Sequence, residues 1–158
     1  PYTGFLYVGL MIVDNMPYVI EYNVRMGDPE TQVVLPLLES SLFNLLYKSS
    51  VGSLLEVEMK ITDKTAVTVV LASKGYPGQY EKNMKINMNI SENDLVFHAG
   101  TVIKSDSLHA IGGRILNVVG FGDSLKEAIE DAYRISDCIE FENKYFRTDI
   151  GQKGLEYK

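Results

Sequence analysis

The stretch from Val19 to Gln32, V-I-E-Y-N-V-R-M-G-D-P-E-T-Q, constrains this chain more than any other, because it has to start as a strand and finish as a helix start. Side chains of a strand alternate between faces, so Glu21, Asn23 and, if the strand runs that far, Arg25 point one way. Ile20, Tyr22 and Val24 then face an apolar layer. Gly27-Asp28-Pro29-Glu30 reads as a helix start, with Asp28 as N-cap and Pro29 in the first turn, where its missing N–H costs nothing. A carboxylate and an amide oxygen two residues apart suit a hard cation such as Mg²⁺, which takes oxygen ligands and leaves room for water and phosphate. Arg25 adds a fork for phosphate or carboxylate, and a neighbouring helix N-terminus favours an anion. An ordinary strand-turn-helix with a solvated acidic rim fits the same residues, and chemistry alone leaves both readings open.

Composition narrows the function class. The net charge of −6, from 15 Lys+Arg against 21 Asp+Glu, with no local basic cluster, argues against a nucleic-acid surface. No apolar run has membrane-spanning length and nothing reads as a signal peptide. The single cysteine, Cys138, excludes an internal disulfide framework and suits a reducing, cytoplasmic setting. Pro1-Tyr2-Thr3-Gly4 runs at once into the apolar stretch Phe5 to Val13, and this opening on a strand reads as a chain cut from something larger.

Along the chain, Gly4 to Val13 is predicted to be a strand covered on both faces, turning at Asp14-Asn15-Met16-Pro17 into a hairpin partner, Tyr18 to Asn23. A helix should follow from Pro29 and break at Pro36. A second, capped by Ser40 or Ser41, carries Leu42, Phe43, Leu45, Leu46 and Tyr47. A boundary is expected between Ser49 and Lys64, giving domains 1–60 and 61–158. Ala66 to Ala72 is a strong strand, followed by a turn at Gly75-Tyr76-Pro77-Gly78. Residues 83–93 read as an irregular surface segment. Leu95 to Gly100 with Thr101 to Ile103 forms another strand pattern, Ser105-Asp106-Ser107 a turn, and Ile115 to Val119 a strand. Ser124-Leu125-Lys126-Glu127 is a capping box opening the clearest helix, with Leu125, Ala128, Ile129, Ala132, Ser136 and Ile139 on one face. Phe141 to Phe146 could add a short strand, and the tail from Gly151 to Lys158 is expected to be loose.

The whole chain resembles the C-terminal part of the glycinamide ribonucleotide synthetase family of ATP-grasp ligases. The resemblance rests on ordered, separated stretches: L-Y-V-G-L-M at Leu6 to Met11, E-Y-N-V-R-M-G-D-P-E-T-Q at Glu21 to Gln32 and L-P-L-L at Leu35 to Leu38. A-V-T-V-V-L-A-S-K-G-Y-P-G at Ala66 to Gly78 and V-F-H-A-G-T at Val96 to Thr101 follow. G-G-R-I-L-N-V at Gly112 to Val118 and Y-F-R-T-D-I-G at Tyr145 to Gly151 complete it. E-x-N-x-R alone is shared with other ATP-grasp ligases and carboxylases; G-D-P-E-T-Q and A-S-K-G-Y-P-G make the pattern specific.

The resemblance implies an α+β fold: the last hairpin and helices of an ATP-grasp domain, then a small β-rich C-terminal domain with one long helix. It implies ligation of glycine to 5-phosphoribosylamine with ATP, through a glycyl phosphate, in purine biosynthesis. Glu21 and Asn23 match the family's metal pair for Mg²⁺ or Mn²⁺, and Arg25 stands where charge builds on the transferring phosphoryl group. Asp28 either assists there or only caps the helix, and the same holds for Glu30. The N-terminal domains, the adenine-binding part and the phosphate-covering loop would precede Pro1, so the chain alone is expected to be inactive.

Other residues carry weaker signals. Lys74, at a strand end, could reach a ribose phosphate or be a solvated turn lysine. Arg114 follows two glycines that allow close approach to an anion, or that merely turn the chain into a strand. His98 reads as a hydrogen-bonded structural residue, His109 as a solvent-facing loop residue, and Arg147 and Asp149 as a pair or a contact with a neighbouring surface. Two competing readings remain: an ATP-grasp ligase or carboxylase with a different acceptor, and a non-catalytic docking module that keeps the C-terminal fold.

Overall fold

The computed structural model describes residues 1–156. The chain mixes α-helix and β-strand and divides into two compact units, Pro1–Thr62 and a second that begins at Asp63. Among the described residues no helix is long and apolar enough to cross a membrane.

The first unit opens with an antiparallel hairpin of β1, Tyr7–Val13, and β2, Met16–Asn23. Asp14 and Asn15 form its two-residue turn with φ of 49° and 62°, the left-handed pair that matches strand twist. The pairing is regular from the tip to Leu10↔Val19 and then slips by one residue, so that Gly9 faces Glu21 and Tyr7 faces Asn23; Ile20 is the extra residue of a β-bulge. The expected burial of this hairpin is not found: Leu10, Met11, Ile12, Ile20 and Tyr22 are 50–64% exposed. A two-stranded ribbon has no inside of its own, so an apolar sequence buries nothing until another layer lies on it.

Short helices follow. α1, Glu30–Val34, gives way at Pro36 to a single 3₁₀ turn over Leu35–Leu37, as the proline dictates. α2, Leu42–Ser50, is capped by Ser41, whose Oγ accepts from the Asn44 N–H at 3.3 Å. The Asp28 cap is corrected: Pro29 occupies the N-cap position after a cis Asp28–Pro29 bond and offers no side-chain acceptor. The Gly27 carbonyl is met instead by the backbone N–H and the hydroxyl of Thr31, at 3.0 and 2.5 Å.

All the buried apolar side chains lie in the second unit. β3, Thr65–Ser73, lies at the middle of a four-stranded antiparallel sheet with β6, Leu95–His98, β9, Arg114–Gly122, and β11, Lys144–Tyr145, in the order β11-β3-β9-β6. α3, Leu125–Asp137, covers one face of this sheet. Alternation in A-V-T-V-V-L-A sends Val67, Val69 and Leu71 to that side, at most 6% exposed, beside Leu116 and Val118. α3 presents Ala128, Ile129, Ala132 and Ile135, and each large aliphatic chain buried there contributes about 1.5–3 kcal/mol. The helix comes close because Gly120 has no side chain. A Cβ there would lie 2.5 Å from the Ala128 carbonyl oxygen and 2.6 Å from the Ala132 Cα.

Both ends of α3 are tied down. Ser124 Oγ accepts from the Glu127 N–H, while Glu127 reaches back to the Asp123 N–H at 2.8 Å. At the other end Lys144 Nζ donates to the carbonyls of Ser136 and Ile139, where a cation suits the helix dipole. On the flank, Arg134 bridges Asp131 and Asp94, at 2.7 and 2.6 Å. Asp131 also accepts from the Phe121 N–H, and Asp94 from the Ser91 N–H. One guanidinium thus joins helix, sheet and the turn before β6.

Four expectations are corrected here. Residues 83–93 are not simply surface: β4, Met84–Lys85, pairs with β8, Ser107–Ala110, and Met84 and Ile86 are 7% and 5% exposed. Residues 95–103 form not one strand but two, β6 and β7, Thr101–Lys104, in different sheets, because Gly100 breaks the run to lie against Gly112. His109 lies on β8, half-buried, rather than in a loop. β5, Asn87–Met88, and β10, Ile139–Glu140, pair separately. The tail is ordered over 151–156: Gly151 and Gly154 lie against Ile129 and Leu125, and α4 spans Gln152–Glu156. The rest of that expectation, at Tyr157 and Lys158, lies outside the described residues.

Two outcomes follow for stability. Gly120→Ala should lose about 1–3 kcal/mol in urea unfolding, because backbone on both sides leaves the methyl nowhere to go. The Asp94 carboxyl is held below its ordinary range, chiefly by the hydrogen bond from Arg134. A carboxylate depressed in this way stabilises the fold above its unfolded pKa, and that stabilisation is lost as pH falls through the folded value. Asp94→Asn should therefore cost about 1–2 kcal/mol at pH 7. The gap to wild type should close as the pH drops below about 4.

Candidate functional site

The chemistry-bearing residues of the first unit meet at the base of the hairpin. Glu21 and Asn23 both lie in β2 on the base side of the bulge, two residues apart and therefore on one face. Their cross-strand partners, Gly9 and Tyr7, share that face. A Cβ at Gly9 would sit 3.0 Å from Glu21 Cγ and 3.6 Å from the Tyr7 ring, so the glycine leaves the space across which the glutamate lies.

Glu30 joins this group from α1. The Tyr7 hydroxyl donates to Glu30 Oε1 at 3.3 Å, and the Glu30 side chain lies over Gly27, where a Cβ would be 2.8 Å from its carboxyl carbon. Gly27 is the one fully buried residue of the first unit. The negative charge of Glu30 raises the Tyr7 phenol above its ordinary range; partial burial and the hydrogen bond add to this, and Glu21 contributes further. Among the described residues neither Glu21 nor Glu30 has an ion-pair partner. In the sequence Tyr7 shows only as one member of an apolar run.

Arg25 falls outside this geometry. β2 ends at Asn23, so alternation no longer governs position 25, and the exposed guanidinium donates to the Met26 carbonyl at 2.8 Å. Asp28 is exposed and accepts from Gln32 Nε2 at 3.4 Å. The expected anion site at the helix start is not supported, since α1 has only 5 residues and little dipole to offer.

In the second unit Lys74 and Arg114 come to the same end of the four-stranded sheet, since Ala72 pairs with Arg114 and Lys74 follows two residues later. Lys74 is exposed beside an open depression of about 340 Å³ with Tyr80, Glu81 and Asn143. The two glycines before Arg114 have structural occupants: Gly112 lies against Gly100, and Gly113 against the ring of Tyr76. Fully buried Ser73, not singled out by sequence, bonds both, its N–H to the Gly113 carbonyl at 2.8 Å and its Oγ to that of Gly112 at 3.0 Å. The S-K-G-Y-P-G and G-G-R stretches are thereby one local structure.

His98 Nδ1 lies 3.0 Å from Thr101 Oγ1, and Arg147 pairs with Asp149 through two hydrogen bonds. No group of three or more His, Cys, Asp or Glu side chains among the described residues could hold a metal alone. Glu21 with Asn23 offers oxygen donors only, which suits a hard cation whose remaining ligands come from phosphate and water.

Comparison with known proteins places this architecture. Residues 66–153, more than half of the chain, match the model of the phosphoribosylglycinamide synthetase C domain, and residues 1–31 match that family's ATP-grasp (A) domain. The chain belongs to the phosphoribosylglycinamide synthetase family. It is 52% identical to phosphoribosylamine–glycine ligase of Chlorobaculum tepidum and 48% identical to that of Agrobacterium fabrum, in each case over 98% of this chain and 37% of the relative. The chain thus spans little more than a third of the length of these curated relatives. The crystal structure of phosphoribosylamine–glycine ligase from Thermotoga maritima superposes with a TM-score of 0.78 at 39% identity, covering 91% of this chain and 36% of that one. Urea carboxylase of Kluyveromyces lactis, at 9% identity and a TM-score of 0.59 over 91% of this chain and 13% of the carboxylase, shares the fold alone.

The electrostatics of the hairpin base can be checked directly. Glu30→Gln removes the charge that raises Tyr7, so one tyrosine resonance should titrate closer to the ordinary phenol value of about 10. An NMR pH titration with labelled tyrosine reads this out.

Proposed function

We propose that the full-length protein containing this chain joins glycine to 5-phosphoribosylamine with ATP, forming glycinamide ribonucleotide, ADP and phosphate through a glycyl phosphate, in the cytoplasm. The observation that carries this reading is the common face of Glu21 and Asn23 at the hairpin base, in a stretch continuous with the match to the ATP-grasp domain. Residues 1–60 are then the end of that ATP-grasp domain and 61–158 the C-terminal domain. The exposed apolar arm of the hairpin would be covered by the strands of the grasp that precede it.

Glu21 and Asn23 would hold Mg²⁺ or Mn²⁺, which supplies charge neutralisation to the nucleotide phosphates. Arg25, exposed on a bend directly after them, can swing from the Met26 carbonyl to the charge that builds on the transferring phosphoryl group. Asp28 helps to place it. Glu30, half-buried and without an ion-pair partner among the described residues, would receive the ammonium group of glycine while the carboxylate reacts. Lys74 and Arg114, brought to one sheet end, would hold the phosphate of phosphoribosylamine, Arg114 as a fork and Lys74 as a point charge.

Glu21→Ala in the full-length protein should lower ligation at least about 100- to 1,000-fold while the melting temperature stays nearly constant. Retained activity would remove the metal assignment. The 158-residue chain titrated with Mg-ATP in a calorimeter should bind no tighter than about millimolar. Tight binding would mean that residues 1–158 hold the nucleotide by themselves, against this reading.

A further inference from the structure

The geometry points to Tyr7 as a positioning residue: its hydroxyl holds the Glu30 carboxylate over Gly27, on the face that carries Glu21 and Asn23. This rests on the ligase reading above and goes beyond it, since Tyr7 supplies neither a cation ligand nor a reacting group. A glutamate side chain loses much rotamer freedom when it is fixed, and beside a second carboxylate it would turn away from like charge. Two features oppose that here. Gly27 leaves the surface against which Glu30 lies flat, and the Tyr7 hydroxyl donates to its Oε1 at 3.3 Å from across the ribbon. Tyr7 can do so only because the bulge at Ile20 puts it opposite Asn23 and its ring beside the gap at Gly9. A phenol suits this task better than a lysine or arginine. It donates one hydrogen bond without cancelling the charge, and a carboxylate so held still has acceptor positions for the substrate ammonium.

The test is a double-mutant cycle in the full-length protein with Tyr7→Phe, Glu30→Gln and the pair. The glycine constant is read twice, as KM in ligation and as Kd by calorimetry with Mg-ADP present, so that an inactive Glu30→Gln variant still reports. Tyr7→Phe keeps the ring and should raise the glycine constant about five- to tenfold, the worth of one ordinary hydrogen bond. Its kcat and its KM for Mg-ATP should stay within about twofold, and in the Glu30→Gln background it should add nothing. The inference is overturned if Tyr7→Phe leaves the glycine constant of an active enzyme unchanged, or raises it equally with and without Glu30. A rise in the Mg²⁺ requirement in place of the glycine constant overturns it as well. A wild-type protein that forms no ADP in response to glycine and phosphoribosylamine would instead sink the ligase reading itself.

Discussion

The contact between Gly120 and the second turn of α3 is the constraint on which the second unit depends. Helix backbone and strand backbone approach so closely there that a methyl group has no room, and Ala128 and Ala132 answer the glycine with the smallest side chains available to a helix. With the spacing set at that point, Ile129 and Ile135 join Val67, Val69, Leu71 and Val118 in one buried cluster. The caps and the Arg134 bridge fix the direction of the helix but do not hold it in place; burial does that.

The two units solve opposite problems. The second has a core and brings Lys74 and Arg114 to one end of a sheet, where the buried Ser73 links two turns that are far apart in sequence. The first has almost no interior, and its order comes from hairpin pairing, two glycine gaps and a few side-chain bonds. Each gap at the hairpin base holds a carboxylate, Glu21 at Gly9 and Glu30 at Gly27. Side chains that would otherwise extend into solvent are laid against backbone, so their charge is concentrated on one face.

Much of this was legible in the sequence. Period-two alternation marked β3, the capping box marked α3, the proline marked the break after α1, and E-Y-N put its two oxygen donors on one face. What could not be read was decided by contacts rather than by local pattern. Met84 and Ile86 sit in a polar run and are buried only because β8 pairs beside them. Gly100 continues a strand pattern in the sequence, and only its contact with Gly112 ends the strand there. Burial of the first hairpin was expected from its composition, but composition records what a strand can bury, not what is present to bury it. Tyr7 was hidden for a related reason. Counting back from the Asp14-Asn15 turn in a regular ladder pairs it with Tyr22, and only the slip at Ile20 moves it opposite Asn23.

That slip also divides the ribbon mechanically. A bulge sharpens local twist and bends the strand that holds it, so the short polar base and the longer apolar arm do not share one plane. Whatever layer closes over the arm can do so at its own angle and leave the base open to solvent. One surplus isoleucine thus lets a single hairpin act as an apolar strand pair at its tip and as a platform for polar side chains at its root.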